Sequence, residues 1–479
     1  MGHRICGCDK TALFVKAEAR IRNRIKGIAA FCLILSLIFS AGCITEDCGT
    51  EMPKDTVNGT QFSGWSQYPS ISGDGRYVAF VTGADDPERP FMQYPADIRI
   101  RSQETGQLIS VKASAALPEE YAIFTYPSLS GDGRYCAFEA ASRISKSDYI
   151  TEKTGLYGIF VFDGDTGETT CVSMASDGTR GNARSEHPVI SDDGRYVTFS
   201  SWATNLVEND TNTVADVFLH DLQTGETGRI TRGSGASGPS AISGDGRMVV
   251  FASTASDLVQ GDTNGGTDIF TYNRLTGVTT RVSVSSDGTE GNDSSVSPDI
   301  STDGRFVSFR SWAANLVEGD TNGVDDVFVH DCLTRKTTRA RDAAPGTFEL
   351  GWSRSPPLSG DGRYVAFESA AETLVAGDTN RMEDVFVYDT ETGETTLISV
   401  ASDGNPGNGN SNAPDLSHDG RYVVFVSGAS SLVEGDENGY ADVFVHDRKT
   451  GRTTMISCYP DNMTPVLQRE QTTGKTVPA

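Results

Sequence analysis

The chain has 479 residues, of which 22% are charged, and 40 Lys/Arg against 65 Asp/Glu give a formal net charge of −25. So acidic a protein repels phosphate backbones, which excludes nucleic acid as a partner and favours cations or basic surfaces. Cys48, Cys136, Cys171, Cys332 and Cys458 are scattered without a paired spacing, so neither a disulfide framework nor a zinc motif can be read from them.

From the N-terminus, Arg20, Arg22, Arg24 and Lys26 precede an apolar run at 28–39, followed by Ser40-Ala41-Gly42-Cys43. A basic flank, a short apolar core and small residues define an export signal. The run is shorter than the ~20 residues that comfortably span a bilayer, so residues 1–42 are expected to be cleaved. The signal carries seven Lys/Arg against Asp9 and Glu18, which leaves −30 on the remainder. Ser-Ala-Gly-Cys resembles the lipobox of secreted lipoproteins, which implies Cys43 as a lipidated first residue. The expected location is then membrane-anchored at the cell surface, or periplasmic, with ordinary cleavage near the same place as the alternative. Residues 43–66 are polar, contain Pro53 and the sequon Asn58-Gly59-Thr60, and read as a flexible tether.

Beyond residue 67 one pattern takes over. Asp-Gly-Arg starts at Asp74, Asp132, Asp193, Asp245, Asp303, Asp361 and Asp419, with steps of 58, 61, 52, 58, 58 and 58 residues. Each of the seven units holds four short apolar segments, A to D. In the central copy they are Pro298–Ser301, Arg305–Ser311, Asp326–Asp331 and Thr337–Arg341, and their lengths suit strands. Asp-Gly between A and B is a tight-turn signal, and Thr-Gly between C and D, as at Thr392-Gly393, is another. Segments B and C are apolar on both faces, as in Tyr364-Val-Ala-Phe367 and Val385-Phe-Val-Tyr388. Such sheets must be covered on both sides. Face-to-face stacking until the series closes predicts an all-β fold, a seven-bladed β-propeller of four-stranded antiparallel blades over 67–459. An open β-solenoid is the rival, but its coils are much shorter than these units. Residues 460–479, with Pro460, Pro465 and Pro478, read as a disordered tail.

The pattern Pro-x-Ile/Leu-Ser-x-Asp-Gly-Arg-Tyr-Val-x-Phe resembles the WD-repeat-like propeller repeat of the TolB family. That resemblance implies a propeller. TolB itself sets six blades behind an α/β domain that works with the Tol-Pal envelope system, whereas this chain has seven units behind a short tether.

In a propeller the A–B and C–D turns share one rim, and the longer B–C and D–A loops share the other. The second rim is the candidate binding surface. Units three to seven repeat an Asp-x-Asn-x-x-x-Asp spacing there: Asp210, Asn212, Asp216; Asp262, Asn264, Asp268; Asp320, Asn322, Asp326; Asp378, Asn380, Asp384; and Asp436, Asn438, Asp442. Oxygen ligands at alternate positions of a tight loop suit Ca²⁺, the one candidate cofactor. The motif resembles a shortened calcium loop of integrin-type propellers. The alternative is that these side chains hydrogen-bond their own loop and start strand C.

His220, His330 and His446 share one slot with Tyr272 and Tyr388, which predicts packing, and His187 and His418 stand isolated near turns. The Arg of Asp-Gly-Arg is expected to pair with a carboxylate at the blade edge. Trp202 and Trp312 begin B–C loops, with packing beneath the loop as the expectation and stacking on sugar rings as the alternative. No Gly-x-Ser-x-Gly elbow is present. The expected function is an exported, non-catalytic binding or scaffolding propeller whose partner is an envelope protein or a glycan. A carbohydrate-active lyase or hydrolase built on the same ring is the alternative. No catalytic residue is assigned.

Overall fold

The computed structural model describes residues 59–85, 93–111, 121–142, 157–341, 356–371 and 374–459. The signal segment, Cys43, most of the tether, the tail and the divergent loops at 86–92 and 143–156 lie outside them. Every regular element described is a strand. The strands form seven antiparallel meanders, each built in the order A-B-C-D from one sequence unit. In blade 5 they are Ser295–Ile300, Phe306–Ser311, Asp326–Asp331 and Lys336–Arg341. Blade 6 contributes its A position as the bridge of Leu358 to Val365. The chain is thus a seven-bladed β-propeller.

Two-sided burial of strands B and C explains the stacking. From blade 2 to blade 7, a Phe on B meets a Phe on C with ring centroids 5.7–6.0 Å apart: Phe138/Phe160, Phe199/Phe218, Phe251/Phe270, Phe309/Phe328, Phe367/Phe386 and Phe425/Phe444. Each buried Phe contributes roughly 1.5–3 kcal/mol, so every blade gains by acquiring a neighbour on each face.

The repeated Ser-x-Asp-Gly-Arg is a hydrogen-bonded turn. In blade 5 the Ser301 hydroxyl donates to Asp303 Oδ1 at 2.7 Å, the Arg305 amide donates to the same oxygen at 2.9 Å, and the Phe306 amide donates to Ser301 Oγ at 2.9 Å. Gly304 holds a φ of 74°, which a side chain would strain. Arg305 then reaches strand C and clamps Asp331 with two bonds of 2.9 and 2.7 Å. The same clamp joins Arg134 to Asp163, Arg195 to Asp221, Arg363 to Asp389 and Arg421 to Asp447. Blades 1 and 4 lack it, because Ser102 and Asn273 stand in the acceptor slot.

These turns also close the ring. The amide of Asp74 donates to the Gly131 carbonyl, Gly131 to Asp192, Asp193 to Gly244, Gly244 to Thr302, Thr302 to Gly360, Gly360 to His418, and His418 back to Gly73, at 2.9–3.2 Å. This is a closed circuit of seven bonds, one per blade junction.

At the chain's seam, Thr60 pairs with Tyr459 and Gln61 with Cys458. This pairing replaces a bridge that elsewhere sits inside the D–A loop, at Met174/Arg180, Val284/Glu290 and Val400/Pro406. The ring therefore closes by splitting a D–A loop between the two ends of the repeat array, not by sharing a blade. Residues 59–62, placed in the tether by the sequence, belong to this seam. Phe62 is buried, 4.5 Å from Tyr459 and 6.1 Å from Phe80. Arg101 donates to the carbonyls of Ile456 and Cys458, both at 2.8 Å. The short step of 52 residues also has a cause: the D–A stretch after blade 3 runs directly from Ile230 to Ser237 and omits the small hairpin.

Candidate functional site at the mouth of the central channel

Strand A lines the axis and is longer than the sequence suggests. Read from the sequence it begins at Pro298, yet Ser295 and Val296 already pair with Ser311 and Arg310. Between Val296 and Asp299 the strand carries two residues opposite one, a β-bulge that absorbs the proline. The same bulge recurs in blades 1, 2, 3, 4 and 7. In five blades the residue before the proline is held at positive φ: Tyr68, Tyr126, His187, Ser297 and Ala413, at 50–55°. Such backbone costs on the order of 1–3 kcal/mol per residue and persists only where neighbours enforce it. Two enforcers are visible: Glu139 of blade 2 accepts the His187 amide at 2.6 Å, and Glu368 of blade 6 accepts the Ala413 amide at 2.9 Å.

The bulges enclose a cavity of about 260 Å³ whose lining includes Tyr126, His187, Pro239, Ser297, Asp299 and Asp415. Around its mouth the residue before the proline differs from blade to blade. On blades 1 to 3, Tyr68 and Tyr126 lie 4.7 Å apart and Tyr126 and His187 5.1 Å apart, centroid to centroid, forming an aromatic arc. Across from it stand Gly238, Ser297 and Ala413. Behind the arc, burial pushes Glu139 up to about 7, opposed by its bonds from the His187 amide and the Thr125 hydroxyl. Glu186 Oε1 lies 3.6 Å from His187 Nδ1, and Arg184 pairs with Glu186.

Deeper in the channel are two carboxylates. Asp299 accepts the Leu358 amide at 2.8 Å and Asp415 accepts the Ile71 amide at 2.9 Å, each bonding to the next blade. Burial first, and then the charge of Asp415, pushes Asp299 up to about 7. At the turn end, His418 Nε2 meets Asp192 Oδ1 at 3.2 Å, joining blade 7 to blade 3. Burial alone would depress His418, but the hydrogen bond and charge of Asp192, with the fields of Asp415 and Asp299, raise it. A Cβ on Gly73 would strike the His418 ring, and one on Gly244 would strike Asp192. The turn-end opening thus has room for only a few side chains, and it admits glycine elsewhere.

The five acidic loops stand apart from this channel. Each Asn bonds its own loop: Asn212, Asn264, Asn322, Asn380 and Asn438 accept the amide two residues on, at 2.7–3.3 Å. Asn264, Asn322, Asn380 and Asn438 also donate to Asp268, Asp326, Asp384 and Asp442. In three loops an arginine from strand D lies between the carboxylates. Arg229 is 3.0 Å from Asp210 and 2.9 Å from Asp216; Arg281 is 3.6 Å from Asp262 and 3.7 Å from Asp268; Arg339 is 3.2 Å from Asp320 and 3.4 Å from Asp326. Asp262, Asp268 and Glu290 cluster closely enough to share an ion, and Arg281 pairs with all three. In blades 6 and 7 the arginine slot holds Leu397 and Met455, beside Asp378 with Asp384 and Asp436 with Asp442. There Gln61 donates to Asp436 at 2.9 Å.

The histidines of strand C are buried and packed. His220, His330 and His446 each place Nδ1 2.9 Å from a strand D threonine hydroxyl, which donates to a carbonyl of the preceding blade, as Thr227 does to Met174. Each hydroxyl proton is thereby used, so Nδ1 carries the other. His187 and His418, isolated in the sequence, both stand on the axis. Two slots of the repeat contained the signal: the residue before the strand A proline and the residue before Asp-Gly-Arg vary where their neighbours do not. Trp202 and Trp312 depart from the packing expectation, since 37% and 43% of their surfaces are exposed. Arg184 and Arg310 lie over them at 5.6 and 5.9 Å.

No protein-family model matches the chain, and no curated protein matches it by sequence. Solved structures share the propeller. TolB from Acinetobacter baumannii aligns at 18% identity and a TM-score of 0.41, over 68% of this chain and 63% of that one. This chain thus covers under two thirds of that structure's length. The β-propeller domain of the Trilobed protease from Pyrococcus furiosus aligns at 13% identity and 0.49, over 85% and 98%. An acylaminoacyl peptidase aligns at 13% and 0.50, over 83% and 52%. Of these the peptidase reaches 0.50, and at 13% identity that likeness concerns the fold alone.

Proposed function

We propose that this is an exported, non-catalytic binding propeller of TolB-like descent that takes a ligand at the loop-rim mouth of its central channel. The reading rests on one observation: Tyr68, Tyr126 and His187 are presented by consecutive blades from the same strained position, and the opposite flank is left small. Aromatic side chains held in advance by a rigid ring lose little entropy on contact, which suits binding. The ligand is a glycan or an exposed segment of an envelope protein, met at the cell surface or in the periplasm, with Cys43 as the lipid anchor. Mature protein is to be screened against glycans and purified envelope proteins, and the hits repeated with Tyr126→Ala and His187→Ala. Loss of about 10-fold in affinity at unchanged melting midpoint is expected; hits indifferent to both variants would remove the channel mouth as the site.

One observation favours the enzymatic alternative. The grouping of His187, Glu186 and Tyr126 is confined to blades 2 and 3, as a reacting centre would be. Incubating the same glycans with the protein and looking for shortened or unsaturated products separates the two readings.

A further inference from the structure

Beside the channel mouth, between blades 3, 4 and 5, lies a second cavity of about 320 Å³. It shares His187, Pro239 and Ser297 with the channel, so the two are neighbours across that wall. Its other walls include Trp202, Glu186 and the hydroxyl residues Ser200, Ser237, Thr254 and Thr267. We infer that this side chamber is a saccharide subsite that holds one uncharged pyranose ring against Trp202. The inference rests on the binding reading above and specifies the ligand class.

Three features carry it. Trp202 is a partly exposed aromatic wall, and Arg184 lies over its ring while itself paired with Glu186. The C–H face of a pyranose is apolar and packs on such a wall, while its rim of hydroxyls requires partners around the edge. The chamber supplies them through Thr254, which is exposed, and Thr267, which is half-buried, whereas Ser200 Oγ lies buried out of reach. Charge then selects among sugars. The one carboxyl in the lining, Glu186, is neutralised by Arg184, so the chamber offers a cationic ligand no free counter-charge and an anionic one no free cation. Trp312 with Arg310 repeats the aromatic device two blades on, without Glu186 beside it.

The test is an array of neutral and uronic-acid oligosaccharides probed with the mature protein, followed by titration of the retained glycans. Retention of neutral glycans is expected, with Trp202→Ala weakening binding about 10-fold or more and Trp202→Phe, which keeps an aromatic wall, within about 3-fold. Thr254→Ala should weaken it less than Trp202→Ala, and melting midpoints should match wild type. Retention of uronic-acid glycans alone, no retention, or neutral-glycan affinity unchanged by Trp202→Ala overturns the subsite. Binding lost in Tyr126→Ala but kept in Trp202→Ala leaves the channel-mouth reading standing without the subsite. The reverse pattern takes Tyr126 out of the contact and keeps the glycan on the subsite.

Discussion

Glu139 holds the strained His187 amide from the blade behind, and that arrangement ties the shape of the channel mouth to protonation. Glu139, Asp299 and Glu383 are all pushed up to about 7 by burial. A carboxyl whose folded value is raised binds more protons folded than unfolded, so its contribution falls as pH rises towards that value. His418, also raised, contributes stability that is full below its unfolded 6.5 and is lost as pH rises through its folded value. The buried His220, His330 and His446 act oppositely, because burial lowers them, but their effect is complete once pH exceeds 6.5. Above about pH 6.5, therefore, all resolved histidine and raised-carboxyl effects share one sign. The melting midpoint is expected to fall between about pH 6.5 and 8, and Glu139→Gln or Asp299→Asn should flatten that slope. A midpoint that rises across this window would show that these groups are not buried as described. Neither His187 nor His418 was legible as an axial residue in the sequence. Both fill slots whose identity changes from blade to blade, and only the closed ring brings those slots together.

The strands and turns were legible because their causes are local. Asp-Gly needs positive φ, and Phe on both B and C needs cover on both faces. Strand A was misjudged at its start because proline usually ends a ladder, whereas here a bulge and a bond from the neighbouring blade carry the strand past it. The acidic loops show the same limit. Asp210 and Arg229 lie 19 residues apart, in separate elements, and only the C–D hairpin places the guanidinium among the carboxylates. In blades 3 to 5 that side chain already supplies a positive charge where a cation would sit. Any calcium response is then expected from blades 6 and 7, where burial pushes Asp384 and Asp442 up to about 6. Sites with dissociation constants of about 10⁻⁴–10⁻³ M would contribute together about 1–3 kcal/mol at millimolar calcium. Melts in calcium and in chelator should differ by no more than that. A shift appropriate to five loops would mean that Arg229, Arg281 and Arg339 yield their places to the ion.

At the scale of the whole molecule, seven turn-to-turn bonds close the axis, and a split D–A loop closes the seam. Blade 1 lacks the Phe partner on strand C, since Phe80 faces Arg99 there, and Phe62 covers Phe80 from the N-terminal segment instead. Phe62→Ala should therefore cost about 3 kcal/mol, the usual range for a buried Phe, and Arg101→Ala should loosen the same junction. Proteolysis of both variants is expected to begin in blades 1 and 7; cleavage spread evenly around the ring would argue against a seam there. The rigid ring matters because it holds the aromatic arc in place before any ligand arrives. Hydrogen exchange with and without a bound glycan or envelope protein reads this most directly. The expected result is ligand protection at residues 66–68, 124–126 and 185–187, the loop-rim ends of strand A in blades 1 to 3, with the Asp-Gly-Arg turns unchanged. Protection confined to the turn rim or to the outer D strands, with those segments unchanged, would contradict a binding site at the channel mouth.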